Sequence, residues 1–115
     1  MRYALLIYEN NIDYQDATPE QWQEAMEAHG RFSAEAAERS MNPGGEALQP
    51  TATARTVRFD NSTAAIVTDG PFAETKEQLG GFYILDCQSI DEAIEMAKKL
   101  PVLNGSVEVR PVIEF

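Results

Sequence analysis

The sequence predicts an α+β domain made of two β-α-β units with a β-hairpin inserted between them. Strand-like runs alternate with two helical patterns along the chain, and each helix begins at a capping sequence. A segment rich in β-branched residues and turn formers separates the two units. The length of 115 residues, with 43% hydrophobic and 24% charged residues, suits one core, so we expect a single domain over residues 1–115.

The first unit begins with a strand over residues 2–8, whose alternating side chains are apolar on both faces. Thr18 and Gln21 form a capping box around Pro19, which predicts a helix ending near Ser40. Apolar residues recur along this helix at helical spacing and define its inward stripe: Trp22, Met26, His29, Phe32 and Ala36. Residues 46–50 are the candidate for the short second strand.

A hairpin is predicted from residues 54–59 and 63–68, which flank the turn sequence Asp60-Asn61-Ser62. Residues 69–81 are dense in turn formers and predict a structured loop. In that loop Phe72 is an apolar side chain expected to anchor the turn to the core.

The second unit begins with a strand over residues 82–87. Ser89 and Glu92 form a second capping box, and Pro101 ends the helix that follows. Its expected buried stripe is Ile90, Ala93, Ile94 and Ala97. Residues 107–114 form the last strand, so the element order is that of the ferredoxin-like split βαβ fold with an inserted β-hairpin.

A homodimer is expected from the coverage of the sheet. Two helices cover one face of a four-stranded sheet, while both central strands also have large apolar side chains on the other face. Such a patch is too large for a monomer to leave exposed, and packing two sheets face to face covers it.

Charge and composition exclude several classes of function. The net charge of −10 argues against nucleic-acid and anionic-membrane partners, which require a basic surface. The apolar run over residues 3–8 is too short for a signal peptide or a membrane span, so a cytoplasmic location is expected. One histidine and one cysteine give no metal-ligand pattern, and dinucleotide and phosphate-loop motifs are absent, so we expect neither metal nor cofactor.

Cys87 is the single cysteine, which rules out an intramolecular disulfide. It lies within a predicted strand, where it is either a small buried apolar group or a nucleophile, and the strand position favours the buried group.

His29 is the main candidate for acid–base chemistry, because it is the single histidine and lies on the apolar stripe of the first helix. The alternative is a hydrogen-bonded core histidine. Asp69 and Glu74 are candidate carboxylates on the structured loop, and Gly80 with Gly81 permits a ligand to approach the backbone closely. The alternative for this loop is a purely structural role in which Asp69 caps a turn.

Three charged residues on predicted strands are weaker candidates: Glu46, Glu108 and Arg110. Their alternation with apolar residues is typical of a solvated face or of salt bridges at the rim of a dimer. Among them, Arg110 is retained as a candidate ligand-binding residue.

Residues 69–83, DGPFAETKEQLGGFY, resemble the signature of the DGPF branch of the YCII-related family. Residues 1–8, 45–50 and 107–111 are similar to the family as well, so the resemblance spans nearly the whole chain. It implies a dimeric α+β barrel with a His/Asp pair in a pocket between helix and sheet. On this chain the resemblance implies His29 and Asp69 as that pair.

Two functions remain open at this point. The first is a small cofactor-free enzyme, with His29 as general base and Asp69 orienting it or exchanging its proton, in a pocket lined by Tyr8, Phe72 or Tyr83. The second is a non-catalytic ligand-binding or regulatory module, since the resemblance includes domains linked to alternative sigma factors.

Overall fold

The computed structural model describes residues 1–10, 17–61 and 65–115. Its elements follow in the order β1 (Arg2–Asn10), α1 (Pro19–Glu38), β2 (Gly44–Ala47), β3 (Arg55–Arg58), β4 (Ile66–Asp69), β5 (Glu77–Asp86), α2 (Ile90–Ala97) and β6 (Gly105–Pro111). Four strands form an antiparallel sheet in the order β2-β5-β1-β6, and β3 pairs with β4 in a separate two-stranded sheet. This is the predicted ferredoxin-like α+β fold with its inserted hairpin.

The core lies between the helices and one face of the sheet. In the register of the two central strands, Leu5 is opposite Tyr83 and Tyr3 is opposite Leu85. The buried cluster consists of Tyr3, Leu5, Ile7, Phe32, Ala36, Met41, Leu85, Cys87, Ala93, Met96 and Leu100. Cys87 is 3% exposed, which confirms the prediction of a buried apolar group.

The capping signals of α1 are confirmed. The Thr18 hydroxyl accepts from the Gln21 amide at 3.1 Å, and the Gln21 side chain accepts from the Thr18 amide at 2.9 Å. At the other end, Met41 N–H donates to Ala36 C=O across Ser40, which has a left-handed φ of 59°. This Schellman arrangement stops the helix within two residues of the predicted end.

The buried stripes of both helices differ from the prediction. In α1 the stripe is buried only from the middle of the helix onward, because Trp22 and Met26 are exposed near its start. In α2 the predicted stripe was right for the buried Ala93 and for Ala97, which packs against the core, and wrong for Ile90 and Ile94, which are exposed. The residues that face the sheet are Ala93, Met96 and Leu100. The short α2 is apolar on more than one side, so packing against β1 and β6 decides its orientation.

The hairpin is confirmed, with Arg55 opposite Asp69 and Arg58 opposite Ile66. Part of the predicted turn, including Ser62, lies outside the described residues. The radius of gyration is 16.0 Å, against about 13 Å for a compact chain of this length. The hairpin forms a two-stranded sheet separate from the main sheet.

The predicted loop over residues 69–81 is shorter in the structure. Asp69 ends β4, and β5 already begins at Glu77. Phe72 is 71% exposed, so the expectation that it anchors the loop to the core was wrong. The Gln78 side chain instead holds the loop by donating to the carbonyls of Ala73 and Thr75.

The second face of the sheet has no helix among the described residues. By strand alternation it presents Leu6, Phe82 and Ile84, which are half-buried, between Glu46 on one side and Glu108 and Arg110 on the other. This apolar face is the one predicted from the two central strands. Within the described residues, neither helix is long and apolar enough to cross a membrane.

Candidate functional site

A cavity of about 260 Å³ lies between the first half of α1 and the β2–β5–β1 part of the sheet. It is lined by Ile7, Glu9, Met26, His29, Gly45, Glu46, Ala47, Gly80, Gly81, Phe82 and Tyr83. The cavity therefore lies beside the first half of α1, where the apolar stripe of the helix is not buried.

Small residues on the sheet leave room for this cavity. Gly45 is opposite Tyr83, and Ala47 is opposite Gly81, so both pairs belong to the face that α1 covers. A side chain is excluded at Gly45, because its φ is +144° and a Cβ atom would lie 2.0 Å from the Phe82 carbonyl oxygen. Without large side chains on β2, the helix and the sheet do not close against each other.

A β-bulge shapes the same corner. Ile7 is opposite Gly81, while the next residue, Tyr8, is opposite Leu79, which leaves Gly80 as the extra residue on β5. Gly80 and Gly81, both candidate ligand-binding residues, line the cavity at this bulge.

His29 and Tyr83 form a hydrogen-bonded pair in the cavity wall. Nδ1 of His29 lies 2.7 Å from the Tyr83 hydroxyl oxygen, and the two rings stack with centroids 5.9 Å apart. The Tyr83 ring also packs against the Phe32 ring, with centroids 4.6 Å apart. The buried Phe32 therefore fixes Tyr83, and Tyr83 in turn fixes the imidazole.

This pair leaves Nε2 as the ring nitrogen available to a ligand. When Nδ1 donates to the phenol oxygen, Nε2 has a lone pair and is a base; when the phenol donates to Nδ1, Nε2 holds the proton and is an acid. Both tautomers keep the ring in one orientation. The imidazole can therefore accept a proton from one atom of a ligand and donate it to another.

Burial sets the charge of both groups. It lowers the pKa of His29 below the ordinary 6.5, and the carboxylate of Glu9 offsets part of this shift. Burial raises the pKa of Tyr83, against a smaller opposing effect of a hydrogen bond with Ser33. At neutral pH the cavity wall therefore presents a neutral imidazole beside a neutral phenol.

Four of the site residues predicted from the sequence line the cavity, His29, Gly80, Gly81 and Tyr83, and the weaker candidate Glu46 is in the lining as well. Tyr8 lies on a strand position that alternates to the opposite face of the sheet, where it is next to Leu79 and Ser106. Arg110 is paired with Glu108 on that same opposite face.

The loop candidates lie elsewhere in this chain. Asp69 belongs to the hairpin, where its exposed carboxylate pairs with Arg55 at 3.2 Å. Phe72 and Glu74 are exposed in the loop that follows. None of the three is among the described residues that line the cavity, so this chain by itself does not bring His29 and Asp69 together.

Sequence reasoning missed Glu9, an acidic residue that lines the cavity. The signal was available, because β1 extends two residues beyond the predicted end at Tyr8, and Glu9 alternates with the inward-facing Ile7. Met26 was placed on the α1 stripe but not in a site, although it precedes His29 by about one helical turn.

Metal and thiol chemistry find little support in the described part of the chain. No group of three or more His, Cys, Asp or Glu side chains there is arranged to hold a metal ion. Burial raises the pKa of the Cys87 thiol, which disfavours the reactive thiolate.

The fold and the cavity define a ferredoxin-like α+β domain with one histidine held between its first helix and its sheet. The chain belongs to the YCII-related domain family, whose sequence model matches residues 1–115. It is also 54% identical over 68 residues to an uncharacterized protein of Rhizobium meliloti (strain 1021), a match that covers 56% of this chain and 54% of the relative. The match thus spans about half the length of that curated relative.

Proposed function

We propose that this chain is a homodimeric member of the DGPF branch whose cavity performs cofactor-free acid–base chemistry on a small molecule. The observation that supports this most directly is the His29–Tyr83 hydrogen bond of 2.7 Å in the wall of a cavity. A histidine with a purely structural role in the core is expected to be packed against other side chains rather than to line a cavity.

In this proposal Nε2 of His29 removes a proton from the substrate and returns it to another substrate atom or to the leaving group. Such a step gives an isomerisation or an elimination and needs no external oxidant or reductant. Tyr83 holds the ring in place during both transfers. The carboxylate of Glu9 stabilises the imidazolium that forms between them, as its upward effect on the His29 pKa indicates.

We assign the acidic role to Glu9 rather than to Asp69 of the same chain. Glu9 lines the cavity with His29, whereas Asp69 pairs with Arg55 on the hairpin. The His29–Asp69 pair expected from the family resemblance would require Asp69 to come from a second copy of the chain.

The dimer is proposed from the sheet face that no described helix covers. Leu6, Phe82 and Ile84 form an apolar surface there, flanked by the charged pair Glu108–Arg110. Apolar centres with polar rims are typical of homodimer interfaces.

One observation favours a second candidate, a non-catalytic regulatory module of an alternative sigma factor system. The hairpin exposes large apolar side chains, with Phe59 80% and Val67 63% exposed. Exposed apolar side chains close together are typical of a surface that contacts another protein.

Proton exchange in heavy water distinguishes the two functions. The protein is incubated with mixtures of small metabolites in D₂O, and deuterium incorporation at carbon is followed by mass spectrometry. An acid–base enzyme exchanges the proton that it abstracts, and His29→Gln should reduce that rate by about 10²–10⁴-fold. The matched control is Glu24→Gln, an exposed position on the same helix. Exchange that persists in His29→Gln, or metabolites that bind without any exchange, would contradict the catalytic proposal.

A further inference from the structure

The segment that leads from α2 into β6 contains the dipeptide Asn104-Gly105. It is the single Asn-Gly sequence in the chain, and both residues are exposed. Glycine is required at the second position, because a Cβ atom on Gly105 would lie 2.1 Å from the Tyr8 carbonyl oxygen. The packing of β6 against β1 therefore keeps a residue without a side chain directly after an exposed asparagine.

The ladder between β1 and β6 directs the Gly105 N–H away from β1. The Asn10 N–H donates to the Asn104 carbonyl at 2.9 Å, so these two residues form a hydrogen-bonded pair. Such pairs alternate along an antiparallel ladder with positions whose N–H groups point outward, and Gly105 is the next position. β6 is an edge of the four-stranded sheet, with no described strand on its outer side. The backbone nitrogen of Gly105 therefore lies at the exposed sheet edge, beside the Asn104 side chain.

We propose that Asn104 deamidates spontaneously to give aspartate and isoaspartate. The Gly105 nitrogen forms a bond to Cγ of Asn104, and the bond between Cγ and Nδ2 breaks. Nδ2 leaves as ammonia, together with the Gly105 amide proton. Water then opens the five-membered succinimide at either of its carbonyl carbons, which gives aspartate in one case and isoaspartate in the other. Glycine favours ring closure because no side chain shields its nitrogen.

The dipeptide Asp69-Gly70 could form the same succinimide, but its geometry is unfavourable. The Gly70 N–H donates to the Ala54 carbonyl at 2.8 Å, and the Asp69 carboxylate pairs with Arg55 at 3.2 Å. Both reacting groups are therefore engaged, in contrast to those of Asn104 and Gly105.

Isoaspartate at this position alters the β1–β6 ladder beside the cavity. In this product the main chain runs through Cβ and Cγ, which lengthens the backbone, and the former carbonyl becomes a carboxylate. The acceptor of the Asn10 N–H is thereby displaced. Glu9, which lines the cavity, precedes Asn10 and lies opposite Gly105. The modification therefore changes the strand end that forms part of the cavity wall.

Ageing of the purified protein at mildly alkaline pH and physiological temperature tests the proposal. Peptide mass spectrometry should show a gain of one mass unit at Asn104. Isoaspartyl methyltransferase with labelled S-adenosylmethionine should methylate the aged protein and not the fresh one. The rate in the folded protein should lie within about tenfold of the rate in urea, because no global unfolding is required.

Asn104→Gln is the matched control, because it keeps an exposed amide but requires a less favourable six-membered ring. Asn42 is an internal control, since the following Pro43 has no N–H to react. Methylation that is lost in Asn104→Gln would assign the site to Asn104. Conversion of Asn104 in urea alone would overturn the proposal, and so would isoaspartate at Asp69 in comparable amounts. The melting temperature should fall as the converted fraction rises; a constant value would overturn the effect on the ladder.

Discussion

The Tyr83 hydroxyl lies 2.7 Å from Nδ1 of His29 and joins the middle of the first helix to a central strand of the sheet. The contact spans 54 positions of sequence. This hydrogen bond fixes the orientation of the imidazole, which lies at the edge of the core and in the wall of the cavity. Loss of the phenol oxygen should therefore change both the free energy of unfolding and the protonation of the imidazole.

Tyr83→Phe removes that oxygen and keeps the ring that packs on Phe32. We expect a loss of about 0.5–1.5 kcal/mol in the free energy of unfolding, the usual net effect of one hydrogen bond. The ¹⁵N chemical shifts of the imidazole should also change, because the hydrogen bond at Nδ1 no longer influences the populations of the two tautomers. Urea unfolding and NMR measure the two effects. Tyr3→Phe is the control, because the Tyr3 hydroxyl has only a weak 3.7 Å contact with the Met1 sulfur; an equal loss there would argue against a special role for the His29 pair.

The low pKa of His29 predicts a pH-dependent stability. Burial lowers the pKa in the folded chain below the ordinary 6.5, so at mildly acidic pH the unfolded chain binds more protons than the folded one. The contribution of His29 to stability is full above pH 6.5 and is lost as the pH falls through the folded-state pKa.

His29→Gln lacks this titration while retaining every carboxylate. Its melting temperature should therefore fall less than that of the wild type between about pH 8 and about pH 5. Parallel curves for the two proteins would show that the pKa of His29 is not shifted. A direct NMR titration of the ring gives the same answer independently.

Gly45→Ala tests the backbone geometry that keeps the cavity open. A Cβ atom at this position would lie 2.0 Å from the Phe82 carbonyl oxygen, and the φ of +144° is unfavourable for alanine. We expect a loss of more than about 2 kcal/mol, or failure to fold, from the combined clash and strain. Gly30→Ala is the control within α1, where an added Cβ meets nothing within 4 Å. It should stabilise the helix by about 0.5–1 kcal/mol, and a similar penalty at both positions would contradict the geometry.

Leu6→Glu tests the proposed dimer. Leu6 lies on the sheet face that no described helix covers, so two-fold pairing would bury two new carboxylates at one interface. Light scattering should give twice 12.8 kDa for the wild type and 12.8 kDa for the variant. Leu103→Glu is the control, because that side chain is 94% exposed in a loop. A monomeric wild type, or a Leu6→Glu dimer as stable as the wild type, would exclude this interface.

The parts of the fold that could be predicted from the sequence depend on neighbours along the chain. The capping box of Thr18 and Gln21 involves two residues of one turn, and the strands of the central sheet alternate every second residue. The order of helices and strands along the chain then left only a few possible sheet topologies. Local patterns were sufficient for the architecture.

The orientation of α2 could not be predicted in the same way. Ile90 and Ile94 have the spacing of one buried stripe. Ala93, Met96 and Leu100 have the spacing of an alternative stripe. Both sets are apolar, so the pattern leaves two rotations of the helix. Contact with β1 and β6 selects the second.

The site was predicted only in part, for a related reason. His29 and Tyr83 could each be placed on an inward face, but nothing along the chain indicates that their polar atoms meet. The expected partner of His29, Asp69, leads towards the central strand in sequence, but in the fold of one chain it pairs with Arg55 within the hairpin. Glu9 is distant from His29 in sequence and reaches the cavity through the register of β1.

The separate pairing of β3 with β4 divides the chain into regions of unequal cooperativity. Among the described residues, the hairpin strands bond to each other and to no strand of the four-stranded sheet, so the hairpin can open while the sheet stays intact. Amide protons of residues 55–58 and 66–69 should exchange with solvent by local opening, in seconds to minutes. Those of Leu5 and Leu85, at the centre of the sheet, should exchange only when the whole chain unfolds.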